Sequence, residues 1–133
     1  MVSDFNIKHK ISPDSRAPVK FVDNADLAYV MMRYREVHDL LHALLGMPTD
    51  MVGEVAVKWV EALQFGLPMC AGGAILGPLR FSRPSQYERY NAIRPWAIKT
   101  GTKARFILNV YYEQRWEQDI SDLRKEMRID PVP

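Results

Sequence analysis

Apolar residues recur at helical spacing over two stretches of the chain, and that period predicts two helices. The first runs from about Ala25 to Leu45: Asn24 or Asp26 can cap its start, and Gly46 followed by Pro48 supplies the stop. The second runs from about Asp50 to Phe65, capped by Thr49 and ended by Gly66 and Pro68. Only Gly46–Thr49 separates them, which predicts an antiparallel helical hairpin. A further helix opens at Ser82 or Pro84, with Tyr87, Tyr90, Ile93 and Trp96 in step, a kink or restart at Pro95 and an end at Gly101. The run Arg105–Tyr112 has strand-forming residues, yet Asn109 could equally cap a last helix reaching about Met127. Residues 1–23 show no period and contain Pro13 and Pro18, so an extended arm is expected. The end, Asp130–Pro133, is expected to fray. Together these elements predict an all-α fold, a helical bundle built on the hairpin, as a single domain over residues 1–133.

Composition narrows the class without naming a function. The chain has 133 residues, 47% hydrophobic and 26% charged, which is ordinary globular usage and enough chain for one core. A net charge of +2 is too small to argue for nucleic acid, and no nucleic-acid-binding motif is present. The single cysteine, Cys70, excludes an internal disulfide and fits a reducing compartment; with no signal-like start, secretion is not expected. The longest apolar run, Leu67–Leu79, is broken by Pro68, Gly72, Gly73, Gly77 and Pro78. It falls short of the ~18–20 residues that cross a bilayer, and reads as a buried helix, a pocket wall or a segment lying on a membrane.

The chemistry concentrates at the hairpin. An α-helix turns about 100° per residue, so with His38 at zero, Leu27, Met31, Tyr34, Leu41 and Leu45 fall within about 60° of it. Val30 and Val37 lie just beyond. His42 sits at about 40° and Asp39 at about 100°, so the three polar residues share one edge of the apolar face. This spacing suits one metal ion, with two imidazoles at ~2.0–2.1 Å and a carboxylate alongside. On the second helix, Met51, Val52, Val55, Trp59 and Leu63 read as the buried side and Glu54, Lys58 and Glu61 as a charged strip opposite. Glu54, on the first turn, is the candidate fourth ligand because the hairpin brings that position near His42. The alternatives remain open: a packed histidine pair, and an ordinary Glu54–Lys58 surface pair worth ~0.3–0.5 kcal/mol. The pattern is neither HExxH nor a phosphohydrolase HD set, since only His9 remains as a further histidine.

The runs MRYREVHDLLHALLGMP, Gly53-Glu54, GLPMC and LGPLRF, with ISPDSRAPVKFVD upstream and PWAIKTG and NVYYEQRWEQDISDLRKEM downstream, resemble the mitochondrial coenzyme Q biosynthesis protein 4 family. The resemblance covers about residues 9–131. Its signature, His-Asp-x-x-His followed after eleven residues by Glu, is matched by His38, Asp39, His42 and Glu54. It implies an α-helical protein holding a divalent ion through those four residues, usually zinc, with iron, cobalt or manganese also compatible with nitrogen and oxygen donors. It further implies a lyase of ubiquinone biosynthesis, acting in oxidative decarboxylation at ring carbon 1 of a polyprenylated 4-hydroxybenzoate. The alternative is a non-catalytic, polyprenyl-lipid-binding scaffold with a structural metal. Other ubiquinone-biosynthesis enzymes are the implied partners, on the matrix face of the inner mitochondrial membrane, peripherally attached. Eukaryotic members usually carry a transit peptide and several helices before the SPDSRAP stretch, so a short form is expected here, with a homodimer as one way to cover exposed apolar faces.

Two further regions suit the substrate and the membrane. Arg35 and Lys58, at the margins of the two helices, are candidates for a substrate carboxylate, and the small residues of Leu67–Leu79 leave room for a polyprenyl tail. Residues 80–105 carry Arg80, Arg83, Arg89, Arg94, Lys99, Lys103 and Arg105 against the single acid Glu88. With Tyr87, Tyr90 and Trp96 interleaved, they suit an anionic membrane surface.

Overall fold

The computed structural model describes residues 18–133, so most of the expected N-terminal arm lies outside the described residues. Residues 18–24 carry no helix or strand. Five α-helices follow: α1 (Ala25–Leu45), α2 (Met51–Phe65), α3 (Pro68–Leu76), α4 (Pro84–Lys103) and α5 (Ile120–Glu126). Short 3₁₀ turns occupy Gly77–Arg80, Ile107–Asn109 and Tyr112–Gln114. The fold is all-α, with no strand among the described residues.

Capping chemistry sets the boundaries of the first two helices. The Asn24 side chain accepts from the amides of Asp26 and Leu27, each at 3.0 Å, and Gly46 ends α1 in the left-handed conformation at φ 69°. At α2 the cap is Asp50, whose carboxylate accepts the Gly53 amide at 2.8 Å, in place of the expected Thr49. Aspartate brings a negative charge to the positive end of the helix, which a threonine hydroxyl lacks. The last carbonyls of α1 are completed by α5: Arg124 donates to Leu44 O at 2.6 Å and to Ala43 O at 2.9 Å.

The core is built around α2, which packs chiefly on α4 and α3. Val52, Val55, Ala56, Val57 and Val60 are buried on it, and Leu41, Leu44 and Leu45 close the core from the C-terminal half of α1. Close approach depends on small residues: a side chain at Gly101 would meet Leu63 Cδ1 at 2.9 Å and the Val60 backbone at 3.2 Å. That crossing uses Gly101 as a packing site, so α4 runs past it to Lys103 and also runs through Pro95.

Leu63, expected on the buried side of α2, is 43% exposed, because α4 meets it through Gly101, which has no side chain to cover it. Leu27 and Val30, expected on the apolar face of α1, are exposed because the first turns of that helix overhang the body. The last helix starts at Ile120, not near Asn109; Ile107 and Tyr112 are instead buried from 3₁₀ turns and Val110 from the link between them, at irregular spacing. The C-terminal end is tied down: Trp96 Nε1 donates to the Asp130 carbonyl at 2.9 Å, and Lys99 pairs with Asp130 at 2.6 Å.

Candidate metal centre

His38 and His42 stand one turn apart on α1, with ring centroids 5.2 Å apart and planes at 84°. Each ring is held by its Nδ1. His42 Nδ1 lies 3.2 Å from Met47 O and 3.1 Å from Pro48 O, two acceptors on the turn after α1. His38 Nδ1 lies 2.6 Å from Glu61 Oε1. Acceptors at Nδ1 hold a proton there, so in the neutral ring Nε2 is the nitrogen that carries the lone pair, the tautomer that a metal ligand needs.

Both Nε2 atoms converge on one carboxylate. His38 Nε2 is 3.4 Å from Glu54 Oε2 and His42 Nε2 is 3.3 Å from Glu54 Oε1. Ligand atoms at ~2.0–2.1 Å from a tetrahedral ion stand about 3.3–3.4 Å from one another, so the spacing already suits a shared cation. One donor atom of each of His38, His42 and Glu54 lies within 4.8 Å of the others. His42 Nε2 is buried and has no hydrogen-bond partner. Its contact with Glu54 lacks hydrogen-bond geometry, and a buried ring nitrogen without a partner costs free energy that a bound ion would recover. Asp39, on the same edge of α1, falls outside this group of three. A His-His-Glu set is the three-ligand pattern that leaves an ion an open position.

Glu61 lies behind His38. Expected in the charged strip with Glu54 and Lys58, it is 0% exposed. Oε1 accepts from His38, while Oε2 accepts from Lys58 Nζ at 2.6 Å, Tyr34 OH at 3.1 Å and Cys70 Sγ at 3.4 Å. Lys58 also donates to Tyr34 OH at 2.8 Å. Lys58 thus serves Glu61 rather than forming the surface pair with Glu54. The reason is α3, which arrives over that side of α2 and seals it with Cys70 and Gly73. A signal was present in the sequence: Glu61 stands two turns after Glu54, on the same stripe that faces α1.

The electrostatics follow from these contacts. Burial opposes a charged His38, but Glu54 and Glu61 outweigh it and push its pKa up to about 9. The two imidazoles hold the Glu54 carboxyl well below the usual carboxylate range. Burial pushes Glu61 up, yet His38 and Lys58 prevail and keep it below its ordinary value. Burial raises the Tyr34 hydroxyl far above that of a free tyrosine, so it remains a donor.

A cleft of about 250 Å³ opens beside Glu54. Met51, Val55 and Leu76 give it apolar walls, and Lys58 and Arg80 bring positive charge. Arg35, the other candidate for a substrate carboxylate, is half-buried on α1 and does not line this cleft. The broad basic face expected over residues 80–105 is partly consumed: Tyr90 and Trp96 are buried, Arg89 pairs with Asp50 at 2.5 Å, and Lys99 with Asp130.

Fold and site together define an all-α protein whose first two helices present a histidine–histidine–glutamate cluster suited to a divalent cation. The chain belongs to the family of coenzyme Q (ubiquinone) biosynthesis protein Coq4, whose model matches residues 2–133. It is 58% identical over 125 residues to the mouse "Ubiquinone biosynthesis protein COQ4 homolog, mitochondrial", covering 94% of this chain and 47% of that protein. The zebrafish protein of that description is 58% identical over 126 residues, covering 95% and 46%. The chain therefore spans about half the length of the curated relatives it matches. A crystal structure of a Nostoc punctiforme protein shares the fold at a TM-score of 0.75, over 96% of this chain and 61% of that one, with 19% identity. No helix among the described residues is long and apolar enough to cross a membrane.

Proposed function

We propose that this chain carries the metal centre of a ubiquinone-biosynthesis lyase, which removes the carboxyl group from ring carbon 1 of a polyprenylated 4-hydroxybenzoate derivative. The observation that carries the reading is the convergence of two oriented Nε2 atoms on Glu54, one of them buried and unpartnered. His38, His42 and Glu54 would hold the ion, with Asp39 as the fourth ligand implied by the family signature. Zinc suits the donor set, and iron, cobalt or manganese would also be accepted by nitrogen and oxygen ligands. A divalent ion held there would supply Lewis-acid stabilisation of carboxylate or phenolate oxygens.

The remaining steps belong to the chain. Loss of carbon dioxide leaves an electron pair on the ring carbon, and positive charge nearby stabilises it. Lys58 and Arg80 bring that charge to the cleft wall, and its apolar side accommodates the ring and the start of the tail. Simple decarboxylation replaces the carboxyl group with a proton; the oxidative form installs oxygen and needs dioxygen and electrons from a donor. The proposed setting is peripheral, on the matrix side of the inner mitochondrial membrane, among the other enzymes of the route.

Turnover of the prenylated acid by metal-loaded protein, with and without oxygen, tests the reading. Catalysis that His42→Ala abolishes while the fold survives supports it. A non-catalytic lipid-binding scaffold is the outcome if His42→Ala loses metal and fold together and no turnover is seen in the parent. Less than one divalent ion per chain after metal-replete expression would remove both.

A further inference from the structure

α3 has the sequence PMCAGGAIL, with no polar side chain on any face. One side is spent on α2: Cys70 and Ala74 are fully buried, and Gly73 and Gly77 lie against Lys58 and Val55. The opposite side is bare. Met69, Ile75, Leu76 and, just past the helix, Leu79 are 60%, 63%, 59% and 78% exposed. A surface helix of a water-soluble body normally turns polar residues outward, and a contiguous apolar patch of this kind marks a binding surface. Charge adds direction. Arg80, which lines the adjoining cleft with Leu76, and Arg83, three residues further on, are exposed, and neither forms an ion pair with a carboxylate among the described residues. No aspartate or glutamate occurs between Glu61 and Glu88.

We propose that the outer face of α3 and the turn after it dock onto an anionic lipid bilayer, with Met69, Ile75 and Leu79 entering the headgroup–acyl boundary and Arg80 and Arg83 meeting lipid phosphates. Apolar burial and attraction to anionic lipid act together in such interfacial elements. A second copy fits less well. A two-fold contact sets a patch against itself, and between Glu61 and Glu88 the chain supplies no carboxylate to offset these arginines. The cleft beside Glu54 shares Leu76 and Arg80 with this face, so docking would set its mouth at the membrane. The inference rests on the peripheral setting proposed above and names the surface that makes the contact.

Co-sedimentation with vesicles of phosphatidylcholine, with and without phosphatidylglycerol, is the test. The protein should pellet with the anionic vesicles and be released by salt. Ile75→Glu with Leu79→Glu should leave it in the supernatant, and Arg83→Glu should weaken binding by roughly fivefold or more. Thermal melts and metal content of the double variant, unchanged from the parent, show that the loss is local and that the metal reading stands or falls separately. A parent chain that ignores anionic vesicles, or a double variant that binds them equally well, overturns the proposal. So does a dimer in solution that the double variant dissociates while the parent shows no vesicle binding; that result assigns the face to a second copy.

Discussion

His38 stands between two carboxylates, Glu54 at Nε2 and Glu61 at Nδ1, and only the first can share a cation with it. Its pKa of about 9 means that the metal-free protein carries an imidazolium at neutral pH. Binding a cation at Nε2 must release that proton, so metal affinity should rise with pH up to about 9 and level off above it. Competition titrations across that range, with proton release followed in buffers of different ionisation enthalpy, check this; a flat profile would place the ion elsewhere. Stability of the metal-free form has the opposite sign. A folded pKa raised above the ordinary 6.5 gives stability that is complete below that value and is lost as pH rises through about 9. Glu54, held low, contributes stability that is lost on acidification instead. Glu61→Gln keeps the shape but weakens the acceptor at His38 Nδ1; metal affinity should fall by ~10–100-fold, the usual cost of losing an outer-shell partner.

At the scale of elements, the site depends on how closely α2 begins against the end of α1. Pro48 O accepts from His42 Nδ1, and a Cβ built at Gly53 would lie 1.9 Å from that oxygen. No side chain fits there without moving the carbonyl that orients the ring. Gly53→Ala should therefore cost about 1–3 kcal/mol from overpacking. It should also lower metal content, while Gly72→Ala, which meets nothing within 4 Å, should leave metal content unchanged. Denaturant melts and elemental analysis of the pair separate local strain from general glycine effects. Arg124 of α5, which completes the end of α1, links the C-terminal part of the chain to the same region.

Across the whole molecule, one core serves both halves of the described chain, with Leu41 of α1 and Ile107 of the first 3₁₀ turn after α4 fully buried in it. Leu41→Ala, one residue before His42, should destabilise the protein by about 2–5 kcal/mol. Urea unfolding with and without metal should show it as a common loss in both states, since Leu41 packs the helix rather than ligating. How much of this was readable beforehand depended on range. α1 was legible to its ends, and α2 nearly so, because caps and apolar period are written within a few residues of each other. The pairing of His38 and His42 was legible for the same reason, and the short turn pointed to Glu54. Glu61 and the segment 105–119 were not: the first is buried by α3, and the second is shaped by contacts with no local period.

The positions of α1 and α2, the His-Asp-x-x-His spacing and the family follow from the chain itself, since a helical backbone hydrogen bond reaches only four residues and a motif is a matter of order. Which polar groups lie in the dry interior was decided by assembly. Burial depends on neighbours distant in sequence, so only the arrival of α3 turned Glu61 from a surface charge into the support of His38, and only the turn around Pro48 left His42 Nε2 facing Glu54 without a partner.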